Sequence, residues 1–194
     1  MTTLLSNSLI FLIKTVLDLL TLTFLLRFYF QLTKVSFQNQ VAQLIVTLTN
    51  FAVKPARKVI PSLGRLDIST LLLAFITQLL LTVCLQWLRG FPLLIAGNSI
   101  WLTLIAISLI SVVSLSLTIF LYAVLIHAVL SWINPHTPIA PILNNLTNPI
   151  LRTMRRFIPL AGNFDLSPLI FIITAQLLLT TILIPLENKL LLTL

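Results

Sequence analysis

The sequence predicts an all-α membrane protein: four transmembrane helices in two parallel repeats, each repeat carrying an amphipathic cytoplasmic interfacial helix between its two spans. Three observations predict it. The 194 residues are 58% hydrophobic and 8% charged, with a mean hydropathy of +1.11, where soluble domains average about 45–50% apolar and roughly 25% charged. The apolar stretches are continuous rather than alternating, which favours helices over a barrel, since a helix satisfies its own backbone in lipid. Finally, "TNFAVKPARKVIPSLGRLDIST" at 49–70 returns as "TNPILRTMRRFIPLAGNFDLSP" at 147–168.

The expected spans are 8–32, 68–88, 101–133 and 166–186. Crossing about 30 Å of hydrocarbon takes roughly 20 helical residues, so the second and fourth fit and the first and third must tilt or protrude. Lys14 and Asp18 interrupt the first span and no basic region precedes it, so it reads as a retained span rather than a cleaved signal. Between spans two and three, Pro92 and Gly97 suggest a short interfacial or re-entrant connector. The chain therefore divides into a first repeat, 1–90, a connector, 91–100, and a second repeat, 101–194.

Lysine and arginine set the expected orientation. Lys34, Lys54, Arg57, Lys58 and Arg65 follow the first span, and Arg152, Arg155 and Arg156 follow the third. Only Arg89 and Lys189 lie on the other side. The positive-inside rule then puts both repeated segments in the cytoplasm and both termini outside. Two spans within 91–133 would place the basic segments on opposite faces, against that rule.

At an offset of 98 residues Asn50 pairs with Asn148, Arg57 with Arg155, Pro61 with Pro159 and Gly64 with Gly162. Asp67 pairs with Asp165, Ser69 with Ser167, Gln78 with Gln176 and Thr82 with Thr180. In the second copy Asn148 reads as an N-cap and Pro149 as the first helical residue. Helical spacing then puts Ile150, Leu151, Met154, Phe157 and Ile158 on one face and Arg152, Arg155 and Arg156 on the other. The first copy sets Ala52, Val53, Ala56, Val59 and Ile60 against Lys54, Arg57 and Lys58, with Pro55 delaying or kinking the helix. Val41, Leu44, Ile45 and Leu48, like Ile139, Ile142, Leu143 and Leu146, form a further stripe upstream. Such helices lie in the membrane interface. Their cations expect anionic lipid headgroups, or a membrane or cytoplasmic protein partner. Gly162 permits the return turn, Asp165 pairs with an arginine, and Ser167 caps a helix begun by Pro168, with Gly64, Asp67 and Ser69 equivalent.

Inside the spans, Gln78 and Gln176 fall near the bilayer centre, with Thr82 and Thr180 on the same faces. Lys14 and Asp18 are one turn apart and can neutralise each other; Ser114 and Thr118 hold the equivalent places in the second copy. These polar groups suit either interhelical hydrogen bonds or an ion pathway. Arg27 aligns with His127 if the intervening loops differ by two residues, and Arg27 is expected to snorkel. His127 and His136 are the two histidines and weak haem or metal candidates, so no cofactor and no metal are expected. The lone Cys84 lies in an apolar run. No nucleophile–base pair or phosphate loop appears, so an enzyme is not expected. No nucleic-acid motif accompanies the net charge of +8.

The motifs "VLSWINP", "NPILRTMRRFIP" and "GNFDLSP", with the looser "LLRFYFQ", "KPARKVIP" and "GRLDIS", resemble the YGGT family of bacteria and plastids over nearly the whole chain. The tandem duplication is similar to the Gram-negative form. The resemblance implies a small bacterial inner-membrane protein without one established general activity, its termini then in the periplasm. Plastid relatives are associated with cofactor assembly of a membrane cytochrome complex, bacterial ones with envelope organisation, division and osmotic or potassium tolerance. The chain departs at His127, where relatives often carry Arg, and at Thr153, where a second Pro is common. Three roles are thus expected in order: a non-enzymatic scaffold, an ion-handling protein using Lys14, Asp18, Gln78 and Gln176, and a haem-handling factor using His127. A homo-oligomer fits any of them.

Overall fold

A computed structural model describes residues 2–60, 62, 64, 66–91, 97–134, 137–157 and 165–192. The described residues form α1 (Thr2–Leu32), α2 (Gln40–Val59), α3 (Ile68–Leu88), α4 (Asn98–Ile133), α5 (Ala140–Phe157) and α6 (Ser167–Leu177). A π-helical stretch, Leu178–Leu183, joins α6 to α7 (Ile184–Leu191). Four helices are long and apolar enough to cross a membrane: Ser6–Leu32, Ile68–Leu88, Ser99–Ile133 and Ser167–Leu191. Residues 98–133 are one unbroken helix, so a break into two spans does not occur. The connector's remaining residues, 92–96, lie outside those described, as do Pro61, Arg65, His136, Ile158, Pro159 and Gly162.

The central element is α4, which touches α1, α3, α5, α6 and α7. Three apolar clusters hold the fold. Phe24, Leu25, Val53, Ala74, Val112 and Ile119 tie α1, α2 and α3 to α4. Phe30, Ala42, Ile45, Ala123, Ile142 and Leu146 tie both amphipathic helices to α1 and α4. Leu121, Val124, Leu151, Phe171 and Ala175 join α4, α5 and α6. Tyr29 meets Phe120 edge-on across the repeats at 4.6 Å.

Each amphipathic helix is longer than its sequence suggests. The expected start at Asn148 and Pro149 is overturned: α5 begins at Ala140 and runs through Pro149. Likewise α2 runs through Pro55. The physical reason is exposure. A helical proline frees the carbonyl four residues earlier, here that of Asn145 and that of Phe51, and both residues are exposed. The separate upstream and downstream stripes are thus parts of one helix. On α2, Ala42, Ile45, Thr49 and Val53 face the bundle. Val41, Leu44, Leu48 and Phe51 form an exposed apolar flank, while Lys54, Arg57 and Lys58 project from a third side. The helix thus has three distinct sides, one buried against the bundle, one apolar and one basic. Val59, expected on the buried face, is exposed.

The cap at the last span also shifts, by two residues. Ser167 lies inside α6 with Pro168 behind it, and Asp165 takes the capping part, its Oδ1 accepting the Ser167 N–H at 3.0 Å. Gly64 has φ +61°, the left-handed conformation that the expected turn requires.

Candidate functional site

Two sites emerge, one at the end of the bundle with the basic segments and one at the opposite end. At the basic end, each amphipathic helix is clamped to the rest of its repeat. Arg57 forms an ion pair and hydrogen bond with Asp67 and also donates to Gln31 Oε1 at 2.9 Å. Arg155 pairs with Asp165 at 2.6 Å. Asp67 is fully buried, and Arg57 is the cation that balances a carboxylate there. Its Oδ1 has no partner among the described residues. Asp165 is more open: burial alone would raise its carboxyl, but hydrogen bonds from Ser167 and Arg155 outweigh that and hold it below the usual carboxylate range. Ser69 caps nothing; its hydroxyl donates to Ile60 O, tying the α2 end to α3.

A second lock fixes each amphipathic helix to its preceding span. Arg27 does not snorkel. It is 5% exposed and donates to Thr49 Oγ1 at 2.7 Å and Asn50 Oδ1 at 3.1 Å. In the second repeat His127 Nδ1 meets Thr147 Oγ1 at 2.7 Å. Thr147 already donates its hydroxyl proton to Leu143 O, so Nδ1 carries the proton in this bond. Thr49 likewise donates to Ile45 O. The structure thus aligns Arg27 with His127 in role as well as position.

These contacts divide the predicted binding set. Arg57 and Arg155 are committed within the fold, whereas Lys54, Lys58, Arg152 and Arg156 are exposed and make no hydrogen bond or ion pair among the described residues. The two amphipathic segments are joined where they begin, Asn39 Nδ2 donating to Pro138 O at 2.7 Å.

At the opposite end a cavity of about 400 Å³ opens between α1, α3, α4 and α7. Lys14, Asp18, Gln78, Arg89, Ser111, Ser114 and Glu187 line it. At about 1.5 Å per residue from Ile68, Gln78 lies about halfway across the hydrocarbon and Arg89 near its far edge. The wall is therefore charged at the mouth and uncharged at the base. Lys14 and Asp18 do not neutralise each other as an ion pair; the ion pairs among the described residues are the two clamps. Glu187, which sequence reasoning missed, accepts a hydrogen bond from Ser111 at 2.9 Å. At the base, Gln78 Oε1 and Ser114 Oγ are buried without partners among the described residues. Gln176 is not part of this site: it and Thr180 are exposed on the outer side of the last span.

The chain has four acidic residues. Asp67 and Asp165 close the clamps, and Asp18 and Glu187 line the cavity. That distribution leaves the basic end with cations alone on its outer face. Among the described residues no group of three His, Cys, Asp or Glu side chains could hold a metal ion.

Comparison with known proteins agrees with this repeat architecture. An uncharacterized protein of Pseudomonas aeruginosa is 34% identical over 176 residues, 90% of this chain and 87% of the relative. The Escherichia coli K12 protein named YggT is 34% identical over 168 residues, 86% of this chain and 85% of the relative. A Vibrio alginolyticus protein is 34% identical over 174 residues, 88% and 90% of the two chains. No solved structure matches the chain. The family model described as CCB3/YggT matches twice, over residues 6–88 and 106–186, one match to each repeat, and the chain belongs to that family.

Proposed function

We propose that this chain is a non-enzymatic scaffold of the bacterial inner membrane, which presents two basic helices to the cytoplasmic leaflet and docks a membrane or cytoplasmic partner there. The observation that carries the reading is the division of charge at the basic end. Arg57 and Arg155 are spent on clamps that hold the helices, and Lys54, Lys58, Arg152 and Arg156 are left outward. Rigidly held cations beside an anionic leaflet each add roughly 1 kcal/mol of attraction. The side with both basic segments is cytoplasmic by the positive-inside rule. The test replaces those four outward residues with Glu and compares co-purifying proteins from native-lipid nanodiscs by quantitative mass spectrometry. A partner lost in the variant, with insertion retained, supports docking; an unchanged set of proteins refutes it.

The cavity favours a second reading, in which the chain handles potassium or protons. Asp18, Glu187 and the unpartnered Gln78 Oε1 offer oxygen ligands from the mouth to mid-membrane. Purified protein in vesicles would then pass potassium or protons, and Asp18→Asn would change that flux. Flux equal to that of empty vesicles removes this reading.

A further inference from the structure

The chain contains the α3–α4 interface once and carries both halves of a second one uncovered. Within the chain, the face of α3 bearing Ala74, Gln78 and Thr82 is covered by α4. Ser108 Oγ donates to Thr82 Oγ1 at 3.2 Å, and Val112 and Ile119 join the Ala74 cluster. In repeat terms, the second span of one unit receives the first span of the next.

Now consider the ends of the series. The 98-residue offset carries Gln78 and Thr82 of α3 onto Gln176 and Thr180 of α6. The local geometry is the same, Thr180 donating to Gln176 O at 2.8 Å as Thr82 donates to Gln78 O at 2.9 Å. Yet both α6 residues are exposed. The offset of 100 that superposes His127 on Arg27 carries Ser108, Val112 and Ile119 of α4 onto Ser8, Leu12 and Leu19 of α1. Ser8 is exposed, and Leu12 and Leu19 are 58% and 57% exposed. The two terminal spans are each 17% buried within the chain, against 39% for the two inner ones. An exposed amide at mid-bilayer loses its hydration and gains nothing from lipid, so it calls for a polar partner.

We infer that α6 of one copy packs on α1 of a second copy, reproducing between chains the α3–α4 contact found within each chain. Thr180 then meets Ser8, and Gln176 is covered by the partner's α1. Any further repeat of this kind would do the same, and the one supplied by the molecule itself is its own first span. The contact is head-to-tail, α6 of one copy against α1 of the next.

Cysteine cross-linking in native membranes tests this, with Cys84→Ser as background. Ser8→Cys and Thr180→Cys chains, differently tagged and co-expressed, are oxidised with copper phenanthroline. A single chain carrying Thr82→Cys and Ser108→Cys serves as the intramolecular standard for this contact. The expected result is cross-linking between the two different chains only, neither variant pairing with itself. A Thr180→Cys homodimer would overturn the inference by showing a like-with-like contact. Absence of the mixed product while the intramolecular standard forms would also overturn it, leaving lipid against α6. Independently, Thr180→Val, which removes the acceptor equivalent to Thr82 in the Ser108–Thr82 bond, is expected to weaken self-association about threefold in dilution series, the size of one interhelical hydrogen bond. Dilution curves identical to wild type, together with a monomeric mass in nanodiscs, would refute it.

Discussion

At the scale of single residues, the two clamps are chemically alike but differ in what surrounds the carboxylate. Asp67 is sealed, so Arg57→Gln leaves a buried charge unpaired and is expected to cost about 3–5 kcal/mol. Arg155→Gln removes a partner from a carboxylate that water reaches, and about 1 kcal/mol is expected. Chemical or thermal unfolding in detergent should rank the two variants in that order. The Asp165 clamp also has a pH signature. Its carboxyl is depressed in the folded protein, so its stabilisation is complete above the ordinary carboxylate value and is lost as pH falls through the depressed one. Asp165→Asn should flatten that acidic part of the stability profile while leaving neutral pH little changed. The pairing of Asp165 with an arginine was legible in the sequence. The partner of Arg27 was not, because Thr49 stands 22 positions away on another helix, and helical spacing speaks only of neighbours within one helix.

At the scale of elements, proline misled the reading of α2 and α5. Proline at a first helical position and proline on the outward side of a continuing helix look the same in one dimension. The distinguishing fact is whether that side of the helix packs against protein, which the tertiary fold decides. Pro149→Ala should therefore lengthen nothing and stabilise α5, by up to about 3 kcal/mol; circular dichroism and melting together report it, and a lower melting temperature would contradict it. The last span shows the other outcome. Pro185 cannot donate to the carbonyl of Thr181, and the turns just before it widen into π geometry, Leu178–Leu183. An apolar groove of about 410 Å³ between α4 and this stretch accompanies the widening, lined by Val113, Phe120, Leu178 and Leu183. The four spans themselves were legible within a few residues, since an uninterrupted apolar run of about 20 residues has the length of a bilayer crossing and suits little else.

At the scale of the whole molecule, duplication was legible and its asymmetry was not. The repeat predicts equal fates for Gln78 and Gln176, yet only an inner span has neighbours on both sides. Glu187 escaped notice because it lies just beyond the expected end of the last span, although it is one of only four acids. Its place in one cavity with Lys14 and Asp18 depends on α7 packing beside α4. Gln78→Leu is expected to leave stability unchanged or raise it, since it removes an unpartnered buried acceptor; melting in detergent decides, and a loss above about 2 kcal/mol would show that the amide is satisfied by something within the cavity. Attraction of the outward cations to anionic vesicles should fall between low and high salt. Replacing Lys54, Lys58, Arg152 and Arg156 by Gln should abolish that salt dependence in a vesicle-docking assay.

The length of α4 sets how far the basic end stands from the middle of the bilayer. Its 36 residues extend about 54 Å, against about 30 Å of hydrocarbon. No ordinary tilt absorbs that excess, so the rod overhangs the bilayer. The His127–Thr147 bond fixes α5 to the end of that rod, so α5 stands where the overhang carries it: the rod is a bracket, and Arg152 and Arg156 are mounted on its arm.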